Sequence, residues 1–296
     1  MDLISIDSLS DEQMSILLET GDLYARQNRD GQVSTKLVGR TVFNLFYENS
    51  TRTAMSFAVA AARLGAQPLT LSVERSSAKK GETLEDTART LGAMLPDAVV
   101  LRHRETGAAA EVAALIECPV INAGDGTGEH PTQALLDALT LRQQFGRVEG
   151  LTIAICGDIR HSRVARSNIK LLQRLGANVR LAGPPSLLPN DLAGSSSIEE
   201  AVSGSDAVMM LRVQRERSDE ELGDAPGEYL ANYGLTLERL GLAAPHAVVL
   251  HPGPMNRGIE IADEVADHPR SLILRQVENG VAMRMAVLDL LVGSTS

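Results

Sequence analysis

Short apolar runs rich in Val, Ile and Leu alternate along the chain with longer amphipathic stretches. The runs are Thr41–Tyr47, Pro68–Val73, Ala98–His103, Val120–Ala123, Leu151–Cys156, Val179–Ala182, Ala207–Leu211 and Ala247–Leu250. Several are apolar almost throughout, the pattern of strands covered on both faces and so kept from water. Between them Ala54, Phe57, Ala58 and Ala61 recur at the spacing of one helix face, with Gly65 placed to end it. Further helices are expected over Glu82–Leu95, Pro131–Phe145, Arg163–Leu175 and Leu274–Leu291. Strand followed by helix, repeated, predicts an α/β protein with parallel sheets and right-handed crossovers.

The series breaks once, around the helix Pro131–Phe145 and the turn Gly146–Gly150. Strand candidates fall equally on either side, which predicts two doubly wound parallel-sheet domains, residues 1–135 and 136–273. Ligands are then expected at the carboxyl ends of the strands and in the crevice between the domains. The segments Gly194–Ser197 and Arg215–Gly227 read as loops.

Composition narrows the function. With 44% hydrophobic and 22% charged residues over 296 positions, the chain has material for about two ordinary globular cores. Lys and Arg number 28 against 38 Asp and Glu, a net charge of −10. No basic excess exists to neutralise nucleic acid or an anionic membrane, although a few arginines can still focus on a small anion. Cys118 and Cys156 alone exclude a disulfide scaffold and a cysteine-based zinc site. No apolar run approaches the roughly 20 residues that cross a bilayer. The acidic start MDLISIDSLSDEQ lacks the features of a signal peptide, so a cytoplasmic location is expected.

Asn49-Ser50-Thr51-Arg52-Thr53 follows a strand and opens a helix. A helix N-terminus favours anions, the hydroxyls of Ser50, Thr51 and Thr53 add donors, and Arg52 adds a planar cationic fork. The same residues read equally as a plain serine cap with an exposed arginine. Glu129-His130-Pro131-Thr132-Gln133 follows the run Gly124–Gly128. His130 and Gln133 share one side of the first turn, able to donate to a carbonyl oxygen and accept from an amide, or simply to cap the helix. Lys79-Lys80-Gly81, with Ser76 and Ser77 upstream, reads as a solvated loop or an anion contact. Arg102-His103-Arg104 closes a strand at the edge where ligands bind.

The second half repeats the theme. Arg163 begins a helix, and Arg212-Val213-Gln214 closes a strand, with Arg212 and Gln214 on one side of it. Two arginines suit a ligand with two carboxylates, while salt bridges to Glu216, Asp219 and Glu220 are the plainer alternative. His251-Pro252-Gly253-Pro254 ends the last strand of this half, where stiffened backbone carbonyls can accept from an NH₂ group or form a simple turn. His251 itself reads as structural. Neither the glycine run nor Cys156-Gly157-Asp158 carries a dinucleotide or P-loop fingerprint.

In this order FYENSTRT, SSAKKGET, LRH, HPTQALLD, CGDIRHSRVARSN, LRVQRER and HPGPMNRG resemble the catalytic chains of the aspartate carbamoyltransferase family, over about Phe43 to Leu291. The resemblance implies the aspartate/ornithine carbamoyltransferase fold, with a C-terminal helix at about 274–292 packing back on the first domain. It also implies carbamoyl transfer from carbamoyl phosphate to L-aspartate in de novo pyrimidine (UMP) biosynthesis. By the same resemblance, Ser50, Thr51, Arg52 and Thr53 bind phosphate, and Arg102 bridges phosphate and carbonyl oxygen. Thr53 and His130 join Arg102 in polarising that oxygen. Gln133 and the Pro252–Gly253–Pro254 loop hold the carbamoyl NH₂, and Arg163, Arg212, Gln214 and Lys80 bind aspartate. Ser76 and Lys80 would come from a neighbouring subunit of a homotrimer with shared sites. A regulatory chain or a dihydroorotase is a further possible partner; no metal or cofactor is implied.

Family members often carry a bulkier residue at Gly253, and Met255–Gly258 matches a branch with an extended loop there. Ornithine carbamoyltransferases resemble the chain at STRT and HPTQ, but carry Ser-Met-Gly and His-Cys-Leu-Pro where this chain has LRVQRER and HPGP. A non-catalytic anion-binding chain and a nucleotide-binding oxidoreductase are the alternatives from other classes.

Overall fold

The computed structural model describes residues 1–72, 81–190, 194, 197–213 and 227–293. These form two compact units, Met1–Leu139 with Val277–Ser296, and Thr140–Gln276.

In the first unit β1 (Thr41–Phe46), β2 (Gln67–Ser72), β3 (Ala98–His103) and β4 (Val120–Asp125) make a parallel sheet ordered β2-β1-β3-β4. Every residue of β4 and all but one of β1 and of β3 are buried, which is why their sequences are apolar without alternation. The helices are α1 (Asp11–Arg29), α2 (Thr51–Arg63), α3 (Leu84–Gly92), α4 (Ala108–Ala113), the start of α5 (Pro131–Phe145) and nearly all of α11 (Ile273–Val292).

Helix α1 has no counterpart in the sequence expectations. It is set by a capping box in which Gln13 N–H donates to Ser10 Oγ at 3.1 Å while Ser10 N–H donates to Gln13 Oε1 at 2.8 Å. Its buried face is Met14, Leu17, Leu18, Gly21, Tyr24 and Ala25. Helix α3 is shorter than the expected Glu82–Leu95, because Thr83 caps it from Asp86 N–H and Leu95 turns left-handed at φ 56°.

In the second unit β5 (Thr152–Cys156), β6 (Asn178–Ala182), β7 (Ala207–Met210) and β8 (Val248–Leu250) form a parallel sheet ordered β6-β5-β7-β8. Around it lie α6 (Arg163–Arg174), α7 (Ile198–Val202), α8 (Glu228–Tyr233), α9 (Leu237–Leu242) and α10 (Asp263–Ala266). One face of this sheet packs Ala154, Cys156, Val208, Met210 and Val249 against α7, α9 and α10. Among the described residues no helix is long and apolar enough to cross a membrane.

The strand orders determine where each sheet opens to a ligand. In the first sheet the chain leaves β1 to one side, towards β2, and returns to its other side as β3. The carboxyl ends of β1 and β3 therefore flank a topological switch point, and in the second sheet those of β5 and β7 do the same.

Candidate active site

At the first switch point Phe46 is in register with Arg102, and Tyr47 N–H donates to Arg102 O at 2.9 Å. Helix α2 begins immediately beyond β1. Ser50 occupies its N-cap position, yet its side chain makes no capping bond; its hydroxyl donates instead to Thr53 Oγ1 at 2.9 Å. Thr53 is buried, whereas Thr51 and Arg52 are exposed at the helix start. Cations in the first turn of a helix oppose its dipole, a cost that an anion bound beside Arg52 would offset.

The Arg102 side chain is mostly buried. Its Nη1 donates to Ala123 O at 3.2 Å and its Nη2 lies 3.5 Å from Glu48 Oε1. The guanidinium is thereby held over the ends of β3 and β4. Beside it, burial lowers the basicity of His103, which packs edge-on against Tyr47 with ring centroids 4.8 Å apart.

His130, just before α5, and Gln133, in its first turn, belong to the same unit and are both buried. The loop before them is fastened from several sides. Asp125 accepts from Glu129 N–H at 2.9 Å, from Gly107 N–H at 2.7 Å and from Asn122 Nδ2 at 2.9 Å. Glu129 in turn accepts from Ile6 N–H at 2.9 Å. Gly126, at φ 45°, passes so close to the 104–106 backbone that a Cβ would lie 2.7 Å from Thr106 N. The glycine run is thus a tightly approached turn that delivers His130. Gln133 Nε2 donates to Asp137 Oδ1 at 2.9 Å, one helical turn on.

The second unit builds its switch point from comparable parts. Gly157, at φ 124°, follows β5, and a Cβ there would lie 2.9 Å from Leu211 O. Asp158 is buried and accepts from both His161 N–H at 3.2 Å and the His161 ring at 3.0 Å. Ser162 then caps α6 by accepting from Ala165 N–H at 3.1 Å, and Arg163 is the first residue of that helix. Arg212 stands two residues beyond β7, half-buried. Ser76, Lys80 and Gln214 lie outside the described residues.

After β8, Gly253 N–H donates to His251 Nδ1 at 2.8 Å. A backbone N–H can only donate, so Nδ1 accepts and the ring carries its proton on Nε2, directed at Glu260 Oε1 3.2 Å away. His251 is a buried anchor for the Pro252–Pro254 turn, in which the Gly253–Pro254 peptide is cis. Glu260 also accepts from Asn256 N–H. Among the described residues no group of three or more His, Cys, Asp or Glu is arranged to hold a metal ion.

Two side chains beside the first switch point were missed from sequence: Glu48, next to Arg102, and Asp137, next to Gln133. The signal for Asp137 was present, as an acid inside the apolar run ALLDALTL four residues after Gln133.

Comparison with known proteins divides the chain along similar lines. Residues 1–143 match the carbamoyl-P binding domain of aspartate/ornithine carbamoyltransferase, and residues 149–291 match the Asp/Orn binding domain of the same family. The catalytic subunit of aspartate carbamoyltransferase from Gluconobacter oxydans is 55% identical, over 97% of this chain and 94% of its own. That from Rhodospirillum rubrum is 52% identical, over 99% and 94%. Trypanosoma cruzi aspartate transcarbamoylase in complex with N-(phosphonacetyl)-L-aspartic acid superposes with a TM-score of 0.88 at 34% identity, over 97% and 94%. Ornithine carbamoyltransferase from Pyrococcus furiosus gives 0.90 at 27% identity, over 100% and 98%.

Proposed function

The chain belongs to the aspartate/ornithine carbamoyltransferase family, and from that membership we infer its reaction: transfer of the carbamoyl group of carbamoyl phosphate to the amino group of L-aspartate. The products are N-carbamoyl-L-aspartate and phosphate, in de novo pyrimidine biosynthesis. The observation that carries the assignment of roles is the doubled switch point, with hydroxyls and cations gathered at one and arginines at the other.

Ser50, Thr51, Arg52 and Thr53 bind the phosphate at the α2 N-terminus, with Arg102 bridging phosphate and carbonyl oxygen. The hydroxyl of Ser50, spared from capping, supports this reading. Thr53, Arg102 and His130 donate to the carbonyl oxygen as charge develops there. Loss of one such donor costs on the order of 10²–10³ in kcat in comparable acyl-transfer sites. Gln133 and the carbonyls of the Pro252–Gly253–Pro254 turn accept from the carbamoyl NH₂. The deprotonated amine of aspartate attacks the carbamoyl carbon, the C–O bond to phosphate breaks, and the departing phosphate accepts the amine proton. No covalent enzyme intermediate is required.

Arg163, Arg212, Gln214 and Lys80 bind the aspartate carboxylates. The acceptor is the point at which the family divides. Backbone similarity does not discriminate, since relatives of both kinds superpose comparably. The arginines at the second switch point favour a dianionic acceptor, and the higher identities belong to aspartate enzymes. The working form is a cytoplasmic homotrimer in which Ser76 and Lys80 complete a neighbour's site, with a regulatory chain or dihydroorotase as a further partner.

Phosphate release from carbamoyl phosphate, followed with L-aspartate and L-ornithine in parallel, tests the assignment. Turnover with aspartate alone is expected; turnover with ornithine alone would overturn the reading of Arg163 and Arg212.

A further inference from the structure

Behind Gln133 lies a charged cluster to which the proposed reaction assigns no role. Asp137 is fully buried on α5, and its Oδ1 accepts from Gln133 Nε2 at 2.9 Å. Arg284 of α11 is 3% exposed, donates to Gly280 O at 3.0 Å, and lies 5.0 Å from the centroid of the Phe57 ring. Phe57 sits on α2 one helical turn after Thr53, so this guanidinium packs against the helix that opens with Ser50–Thr53. Burial lowers the Arg284 pKa to about 10, the Asp137 charge opposes that fall, and the Arg102 charge adds to it. A helix-interior glycine makes room for the group: a Cβ on Gly280 would lie 2.7 Å from Arg284 Nη1.

An ionised carboxylate only accepts hydrogen bonds. A glutamine facing one must therefore turn its NH₂ towards it and its carbonyl oxygen away. We propose that Asp137 is a positioning residue: its carboxylate, charge-balanced by Arg284, holds the Gln133 amide in the one orientation that leaves Oε1 to accept from the carbamoyl NH₂. This rests on the reading of Gln133 as that acceptor. Without the carboxylate the amide turns freely, and half of its orientations point a donor at a donor.

Equilibrium binding of two anions to the full-length protein tests this. Phosphonoacetamide, a non-reacting analogue carrying the CONH₂ group, reports Gln133 and the phosphate cradle together; inorganic phosphate reports the cradle alone. Gln133→Ala is expected to lose about tenfold in preference for phosphonoacetamide over phosphate, the scale of one hydrogen bond left unmade. Asp137→Asn is expected to lose about twofold, the cost of a half-populated competent orientation, and Asp137→Asn added to Gln133→Ala nothing further. Equal weakening of both anions by Asp137→Asn would mark a merely structural role and overturn the proposal. So would an unchanged preference in Asp137→Asn alongside a lost one in Gln133→Ala, while leaving the reading of Gln133 intact. An unchanged preference in Gln133→Ala would instead remove that reading and the proposal with it. If Asp137→Asn alone does not fold, Asp137→Asn/Arg284→Met removes both buried charges and takes its place: a lost preference supports the proposal, and an unchanged one overturns it.

Discussion

Gly280→Ala is the substitution for which opposing effects can be weighed most directly. In an unobstructed helix interior, alanine for glycine stabilises by about 1 kcal/mol. At this position the added Cβ would stand 2.7 Å from Arg284 Nη1, while its next neighbour, Leu136 Cδ2, is at an ordinary 3.5 Å. Relief requires the guanidinium to move. It would then give up its bond to Gly280 O, a charged donor's hydrogen bond of about 1.5–3 kcal/mol, and its place over Phe57, about 1 kcal/mol. Arg284 is 3% exposed, so water does not replace what is lost. Subtracting the propensity gain leaves Gly280→Ala destabilised by about 1.5–3 kcal/mol. Urea unfolding at matched protein concentration should show a lower midpoint with an unchanged slope. In an Arg284→Met background the same alanine should stabilise by about 1 kcal/mol. A Gly280→Ala protein more stable than the parent would refute the claim that the guanidinium fills this space.

Arg212→Ala should raise KM for aspartate by roughly 10- to 100-fold while carbamoyl phosphate binding stays near normal, as loss of a charged carboxylate contact would; steady-state kinetics with each substrate varied checks this, and equal loss of both counts against the assignment. Mixing Lys80→Ala chains with Arg52→Ala chains should restore part of the activity that neither has alone, and well-folded mixed assemblies without activity would count against shared sites. Burial holds the His103 pKa below its usual 6.5. The unfolded chain therefore binds this proton first, and stability is lost as pH falls below about 6.5. His103→Asn keeps an acceptor for the Glu105 N–H, so its urea midpoint should fall less between pH 7.5 and 5.5 than the parent's; equal falls would exclude His103 as a source of the pH dependence.

The strands β1, β3, β4, β5, β7 and β8 were legible because they are buried on two faces: β3 coincides with the apolar run Ala98–His103, and helix α5 coincides with the expected Pro131–Phe145. Helix α1 was not, because its acidic beginning reads as a surface segment until the reciprocal bonds of Ser10 and Gln13 are recognised as a helix start. The motifs around Ser50, His130 and Arg163 could be found in sequence because each lies just after a strand and opens a helix, a purely local pattern. Glu48 was passed over because a glutamate is ordinary beside a strand end, and only the fold brings it to Arg102. Arg284 is invisible for the same reason: α11 is distant in sequence from α2 and α5, and nothing local says that a lone arginine in VAMRMAVL faces inward.

The helix beginnings separate what serves stability from what serves binding. Helices α1, α3, α7 and α10 each carry two acidic residues in the first turn, as their dipoles favour. Helices α2, α5, α6 and α11 carry none, and α2, α6 and α11 have an arginine there instead. An acid at each of these starts would add about 0.3–1 kcal/mol of stability. Three of the four, α2, α5 and α6, follow β1, β4 and β5 at the strand ends where the fold leaves its crevices, whereas α11 begins well beyond β8. An acid at any of those three would repel an anionic substrate and neutralise the positive end meant for it. A chain that holds anions in each unit leaves the N-termini of α2, α5 and α6 bare, and it is the coincidence of a bare helix start with a strand end, which α11 lacks, that marks the sites.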